Sequence, residues 1–204
     1  MQFPKIRKIN HIELKRKIMH ILIGIIGLFL ILYNIITPLA ILIILLLGIL
    51  ISLLSLKFKI PVISFFLDNF ERKNDKTILP GRAVIFGVTG ALLALQLFER
   101  DIALASITIL IFADPISHLV GKVFGKTKSP LNQSKNIEGH IAGALISSIL
   151  AMFFVHPILA IAGALISMLF ESLIIEIQKI QLDDNLIIPL AAGTTMFLIM
   201  RYLV

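Results

Sequence analysis

An aspartate stands inside a long apolar stretch of this sequence. Asp114 is preceded by the mostly apolar run 102–113, and apolar residues continue after it towards Phe124. A carboxylate within a membrane segment costs about a few kcal/mol or more, and such residues usually mark functional sites. Asp114 is therefore the first candidate for chemistry. His118 follows one helical turn later, on the same predicted face.

A second carboxylate, Glu171, is predicted to lie at the same depth. Asp114 comes thirteen residues after Asp101, and Glu171 comes fourteen residues after Pro157, close to where each apolar segment begins. At about 1.5 Å per helical residue, both lie about 20 Å into a hydrocarbon core of about 30 Å. The two carboxylates are therefore expected near the same side of a membrane.

The composition is that of an integral membrane protein. Hydrophobic residues make up 58% of the 204 residues, which is more than a soluble domain of this length needs. Cysteine is absent, which excludes disulfides and thiolate metal sites. A short apolar run, 61–67, is predicted to lie at the membrane interface. An all-α fold with seven membrane-spanning helices is predicted over 20–36, 38–56, 83–98, 102–120, 139–155, 158–178 and 186–203.

The basic residues predict an orientation. With the N-terminus inside, the inside segments carry six, six, four and one of the 19 Lys and Arg residues, and only Arg100 and Arg201 fall outside. The positive-inside rule therefore predicts a cytoplasmic N-terminus. The net charge of +7 then reflects loops that face an anionic leaflet, not nucleic acid. We expect one integral domain, 1–204, in the cell membrane, with a basic cytoplasmic segment, 1–17, and a site on the cytoplasmic side.

Residue types that handle phosphate and Mg²⁺ are predicted to gather at that side. Carboxylates hold Mg²⁺ together with phosphate oxygens, and Asp114, Asp183 and Asp184 are the candidates. Lysines pair with phosphate charge, glycines permit close approach, and a helix N-terminus favours anions. Phosphoryl transfer needs mainly such positioning and charge stabilisation. The candidate nucleotide-binding residues are Gly121, Lys122, Gly125, Lys126, Lys128, Lys135, Gly139 and Asn185.

Each of these features also has a plainer structural interpretation. Asp114 could be a structural carboxylate paired with His118 or Lys122. Glu171 could hydrogen-bond a neighbouring helix, and the glycines spaced four apart could be helix-packing patches. The basic loop, residues 121–138, could serve only membrane topology. The run Asp183–Asn185 could be a polar turn with an N-cap. The convergence of all these features on one side favours a functional site.

Four short blocks carry a resemblance to a known family. They are Glu13-Leu14-Lys15-Arg16-Lys17 with His20 and Gly24; Asp114-Pro115 with Gly121 and Gly125; Lys135-Asn136-Ile137-Glu138-Gly139; and Asp183-Asp184-Asn185-Leu186 with Pro189. In this order they resemble the CTP-dependent lipid-alcohol kinases, the group of dolichol kinase, phytol kinase and yeast-type diacylglycerol kinase. That group is more distantly similar to phosphatidate cytidylyltransferases. Ala113, Ser117 and Asn136 depart from the family pattern, where glycine, alanine and serine or threonine are usual.

The resemblance implies CTP as phosphoryl donor and a long-chain alcohol in the bilayer, of the dolichol or polyprenol type, as acceptor. Asp114 would hold Mg²⁺ or activate the hydroxyl, and Asp183 and Asp184 would share the work on metal and nucleotide. Lys135 and Glu138 would bind and orient the triphosphate. The predicted catalytic residues are thus Asp114, Asp184, Lys135 and Glu138. The predicted supporting residues are Glu13, Lys17, His20, His118 and Glu171.

Three other functions stay open at this point. A cytidylyltransferase that forms a CDP-lipid and releases pyrophosphate needs the same metal and phosphate groups. A small transporter or channel belongs to a different class, and the nearly all-apolar outer halves of the spans argue against it. A purely structural protein leaves Asp114 and Glu171 unexplained. The identity of the alcohol and the oligomeric state stay open as well.

Overall fold

Helices form almost all of this computed structural model, which describes residues 11–71, 76, 78–173, 176–177, 180–181 and 183–202. The all-α prediction is confirmed for that part of the chain, apart from one pair of two-residue strands. Residues 1–10, which make up most of the predicted basic segment, lie outside the described residues. The helices are α1 His11–Leu32, α2 Pro38–Ser55, α3 Pro61–Phe70, α4 Arg82–Leu97, α5 Arg100–Phe124, α6 Ile137–Ala151, α7 Pro157–Ser172 and α8 Asp184–Tyr202.

Three of these helices, α2, α5 and α8, are long and apolar enough to cross a membrane. The helices α4, α6 and α7 are apolar but have 16, 15 and 16 residues, just below the usual spanning range of about 17 to 25. The ten residues of α3 are too few to cross. The chain therefore has the helices of a membrane protein, while the count of seven spans and their orientation stay predictions.

Helix starts follow local sequence signals. Pro38, Pro61 and Pro157 stand in the first turns of their helices, where the missing N–H removes no helical hydrogen bond. The hydroxyl of Thr37 accepts a hydrogen bond from the Ala40 N–H at 3.3 Å and so caps α2. The first helix ends four residues before the end of the predicted span 20–36, because α1 ends at Leu32.

The predicted sixth span, 158–178, is wrong at its C-terminal end. Helix α7 ends at Ser172, and two short strands, β1 Glu176–Ile177 and β2 Ile180–Gln181, follow as an antiparallel pair. On both sides of Gln178-Lys179 the sequence alternates isoleucine with a polar residue. Period-two alternation of β-branched residues favours strand over helix. Glu176, which falls inside the predicted span, therefore lies in a short strand.

Helix α5 is the centre of the fold. It packs against α1, α4, α6, α7 and α8, and 14 of its 25 residues are buried. Its small residues Ala103, Ala105 and Ala113 are fully buried, which lets neighbouring helices approach closely. Asp114, whose carboxylate is energetically unfavourable in an apolar segment, therefore lies on the helix that most other helices contact.

Helices α5 and α6 touch backbone to backbone. A Cβ atom built on Gly139 would overlap the carbonyl oxygen of Ser117 and lie 2.9 Å from the Cα atom of Gly121. A Cβ atom on Gly143 would lie 2.7 Å from the carbonyl oxygen of Ala113. Only glycine fits such a contact. The contact determines where the basic loop leaves α5 and where it returns to α6.

Candidate active site

The carboxylate of Asp114 on α5 pairs with Lys17 on α1. The distance from Lys17 Nζ to Asp114 Oδ2 is 2.6 Å, and Lys17 is only 6% exposed. Neither His118 nor Lys122, the partners considered from the sequence, makes this contact. His20 lies one turn further along α1, with its Nε2 atom 3.3 Å from the carbonyl oxygen of Leu110. Helix α1 thus closes one side of the site.

Lys135 joins two further carboxylates from the opposite side. Its Nζ atom is 2.6 Å from Glu171 Oε1 and 3.0 Å from Asp184 Oδ2. Burial by itself lowers the pKa of Lys135, but the two carboxylates raise it more, and its pKa ends above the ordinary value. Lys135 therefore stays a cation in the site.

The basic loop folds back on itself to present Lys135. The N–H of Ser129 donates to the carbonyl oxygen of Lys135 at 3.0 Å, and the N–H of Ile137 donates to that of Thr127 at 3.0 Å. The side-chain amide of Asn136 donates to the carbonyl oxygen of Gly121 at 2.7 Å. Asn136, a departure from the family pattern, therefore joins the loop to the end of α5.

Three carboxylates, those of Asp114, Glu171 and Asp184, form one cluster, and an oxygen of each lies within 4.8 Å of the others. Lys17 and Lys135 offset two of the three negative charges. Oxygen donors grouped in this way suit Mg²⁺, which binds through one or two carboxylates plus phosphate oxygens. The structure thus brings Asp114 and Glu171 together, as their predicted depths suggest.

The cluster differs from the predicted metal set in one member, because it contains Glu171 and not Asp183. Asp183 lies outside it, with Oδ2 at 3.3 Å from Arg82 Nε. Its Oδ1 atom accepts a hydrogen bond from the N–H of Asn185 at 3.1 Å at the start of α8. This is the capping role considered from the sequence. Asn185 in turn donates to the carbonyl oxygen of Ala83 at 3.2 Å, so Asp183 and Asn185 connect α8 with α4 while Asp184 faces the cluster.

His140 contacts the cluster but is not among the site residues predicted from the sequence. Its Nε2 atom lies 2.8 Å from Glu171 Oε2 and 3.0 Å from the Ser172 hydroxyl. Its Nδ1 atom lies 3.0 Å from the carbonyl oxygen of Asn136. The sequence does contain a signal that could have identified His140, because it is a titratable residue within an apolar helix, two positions after Glu138. Glu171, held by both His140 and Lys135, is 3% exposed.

Glu138 contacts the basic loop and not the cluster. Its Oε1 atom accepts hydrogen bonds from the N–H groups of Lys126 at 3.0 Å and Thr127 at 2.9 Å. Near the other end of the site, Glu13 Oε2 lies 3.4 Å from His118 Nε2 and 3.0 Å from Arg16 Nη2.

Of the predicted nucleotide-binding residues, the cavity at the cluster is lined by Gly121, Lys122, Lys135 and Asn185, and not by Gly125, Lys126, Lys128 or Gly139.

The cavity that contains the cluster has a volume of about 960 Å³ and extends along α1, α2 and α4. At its polar end Arg16, Lys122 and Lys135 add positive charge beside the carboxylates. Further along, its lining is almost entirely hydrocarbon. One continuous space thus joins a charged centre to an apolar interior.

Two known proteins are similar in sequence to this chain. The chain is 27% identical over 182 residues to an uncharacterized protein of Methanocaldococcus jannaschii, covering 87% of this chain and 88% of that protein. It is 24% identical over 147 residues to CTP-dependent diacylglycerol kinase 1 of Schizosaccharomyces pombe, covering 63% of this chain and 64% of the kinase. No protein-family model matches the chain, and no solved structure matches it. The similarity to the kinase supports the resemblance carried by the four sequence blocks.

Proposed function

We propose that this protein is a CTP-dependent kinase that phosphorylates the hydroxyl of a membrane lipid alcohol, of the dolichol or polyprenol type, at the cytoplasmic face. One observation carries the proposal: a single cavity holds both the three-carboxylate cluster and a long apolar lining. A phosphoryl acceptor that stays in the bilayer and a nucleotide that arrives from water need such a shared space. The similarity to a CTP-dependent diacylglycerol kinase supports CTP as the donor and a lipid as the acceptor.

The triphosphate binds at the polar end of the cavity in this proposal. Arg16, Lys122 and Lys135 line that end and pair with phosphate oxygens. Asp114, Glu171 and Asp184 would hold Mg²⁺, which would neutralise phosphate charge. The distribution of basic residues supports a cytoplasmic site.

The reaction is a direct displacement at phosphorus. The alcohol oxygen forms a bond to the γ-phosphorus, the bond from that phosphorus to the bridging oxygen of the β-phosphate breaks, and CDP leaves. The hydroxyl proton passes to a carboxylate of the cluster. Lys135 stabilises the charge on the transferred group. Lys17 holds the Asp114 side chain in place at 2.6 Å.

A phosphoryl-transfer assay in detergent tests the proposal. Purified protein, Mg²⁺ and CTP labelled in the γ-phosphate are offered to dolichol, a shorter polyprenol, phytol, geranylgeraniol and diacylglycerol, with ATP tested in parallel. We expect label in an alcohol and release of CDP. Labelled pyrophosphate on addition of phosphatidic acid would instead identify a cytidylyltransferase. Solute flux in proteoliposomes without nucleotide consumption would identify a transporter.

A further inference from the structure

The apolar part of the cavity lies between α1 and α2, which are consecutive in the chain but pack on different partners. Helix α1 packs on α3 and α5, and α2 packs on α4. Beyond His20, every α1 residue that lines the cavity has a hydrocarbon side chain or none. We call this part of the cavity the apolar arm. Its lining on the two helices is Ile23, Gly24, Gly27, Leu28, Leu30 and Ile31 on α1, and Ile41, Ile44, Gly48 and Ile51 on α2. The next cavity residues of α2, Ser52 and Ser55, donate their hydroxyls to backbone carbonyl oxygens.

Two glycines keep the apolar arm open. A Cβ atom built on Gly27 or on Gly48 meets no atom within 4 Å, so a side chain at either position would project into free space. Gly24 is different, because a Cβ atom there would lie 2.6 Å from Ile111 Cγ1. Gly24 therefore seats α1 against α5, whereas Gly27 and Gly48 leave volume in the arm.

The arm is deep enough for a long hydrocarbon chain. Gly27 comes ten residues after Lys17, which pairs with Asp114, so Gly27 lies about 15 Å along α1 from the cluster. Ile31 lies one turn further, at about 21 Å by the same rise. A chain whose hydroxyl sits at the cluster can therefore extend past Gly27.

We propose that the apolar arm holds the hydrocarbon chain of a single-chain lipid alcohol, and that Gly27 and Gly48 set the chain length that the protein accepts. This inference rests on the proposed function for the position of the hydroxyl. The arm is continuous with the carboxylate cluster, and its α1 lining beyond His20 is uncharged. A hydrocarbon chain leaves no polar group unpaired there, whereas a nucleotide would.

Bulkier residues at the two glycines test the assignment. Gly27→Leu and Gly48→Leu add volume in the arm, and the Cβ atom at either position meets no neighbouring atom within 4 Å. The matched controls are Leu22→Phe on α1 and Leu47→Phe on α2, both exposed positions outside the cavity lining. We expect kcat/KM for long-chain alcohols to fall at least about tenfold in the glycine variants, with short-chain alcohols nearly unaffected. An unchanged chain-length profile, or equal loss for both lengths, would overturn the proposal.

Photo-crosslinking tests the arm without turnover. Short and long alcohols with a diazirine at the chain end are bound to the wild-type protein, irradiated and mapped by mass spectrometry. We expect the long alcohol to label the far end of the arm near Ile31, and the short one to label nearer Gly24. Labelling only at outward residues such as Leu22 or Leu47 would overturn the assignment. Labelling in the arm without any phosphorylation would support binding of the hydrocarbon chain in the arm and refute the proposed kinase activity.

Discussion

Lys17 and Asp114 are separated by 97 positions in the chain, yet their charged atoms lie 2.6 Å apart in the buried part of the site. This contact joins the first described helix to the central one. Removing one partner of a buried ion pair usually costs about 3–5 kcal/mol, because the other charge is left uncompensated. The stability of the site and its response to metal are therefore linked through this pair.

Substituting Lys17 by methionine tests that link. Lys17→Met keeps the apolar stem and leaves the Asp114 carboxylate without its cation, so we expect a lower Tm in Mg²⁺-free detergent. Because Mg²⁺ can replace the lost charge, added Mg²⁺ should raise the Tm of the variant more than that of the wild type. Because the chain has no tryptophan, thermal unfolding is followed by circular dichroism, which measures both Tm values. Lys15→Met, at an exposed position of the same helix, should change neither value.

Removing the charge of Asp114 should abolish transfer. We expect Asp114→Asn to lower kcat for lipid phosphorylation by more than about a hundredfold, because the cluster loses a charged oxygen that would hold the metal or take up the hydroxyl proton. The variant also leaves Lys17 unpaired and buried, so stability has to be separated from chemistry. The double variant Lys17→Met with Asp114→Asn removes both charges and should recover stability without activity. Activity in either variant would exclude Asp114 from the reaction.

Glu171 and Asp183 should differ in their effect on metal. Glu171 belongs to the three-carboxylate cluster, whereas Asp183 pairs with Arg82. We expect Glu171→Gln to raise the Mg²⁺ concentration for half-maximal activity by at least about tenfold. Asp183→Asn should leave that midpoint near the wild-type value, whatever its effect on the maximal rate. Mg²⁺ titrations of both variants measure these midpoints. A larger increase for Asp183→Asn than for Glu171→Gln would restore Asp183 to the metal site predicted from the sequence.

Glu138 should act through the basic loop. Its carboxylate accepts hydrogen bonds from the N–H groups of Lys126 and Thr127, so Glu138→Ala should release the loop and raise KM for CTP with little change in kcat. Glu138→Gln keeps an acceptor oxygen and should restore part of the wild-type KM. Steady-state kinetics with varied CTP separate the two effects. A collapse of kcat at unchanged KM would instead place Glu138 at the reacting groups.

A methyl group at Gly139 should destabilise the fold. The Cβ atom of Gly139→Ala would overlap the backbone of α5 at Ser117 and Gly121, and overpacking of this kind typically costs about 1–3 kcal/mol. We expect a lower Tm in detergent. Gly27→Ala, where a Cβ atom meets nothing within 4 Å, is the matched control and should not lower the Tm. Equal Tm values for the two variants would mean that α5 and α6 can separate at small cost.

Much of the fold could be predicted from local sequence features. Apolar length and proline positions predicted helices close to α2, α4, α5, α6 and α8 within a few residues, because helices satisfy their own backbone groups inside a membrane. The end of α7 was missed because hydropathy cannot separate a buried helix from an isoleucine-rich hairpin. The alternation around Gln178-Lys179 was the local signal for that hairpin.

The sequence by itself determined the helical class and the apolar helices of a membrane protein, since both follow from composition, and helical rise predicted that Asp114 and Glu171 lie at one level of the fold. Only the tertiary structure decided that Lys17 is the partner of Asp114, that Glu171 and not Asp183 completes the cluster, and that His140 contacts it. These contacts depend on how each helix is rotated and packed against its neighbours. Spacing along one helix gives a depth, but the packing of several helices chooses which side chains meet.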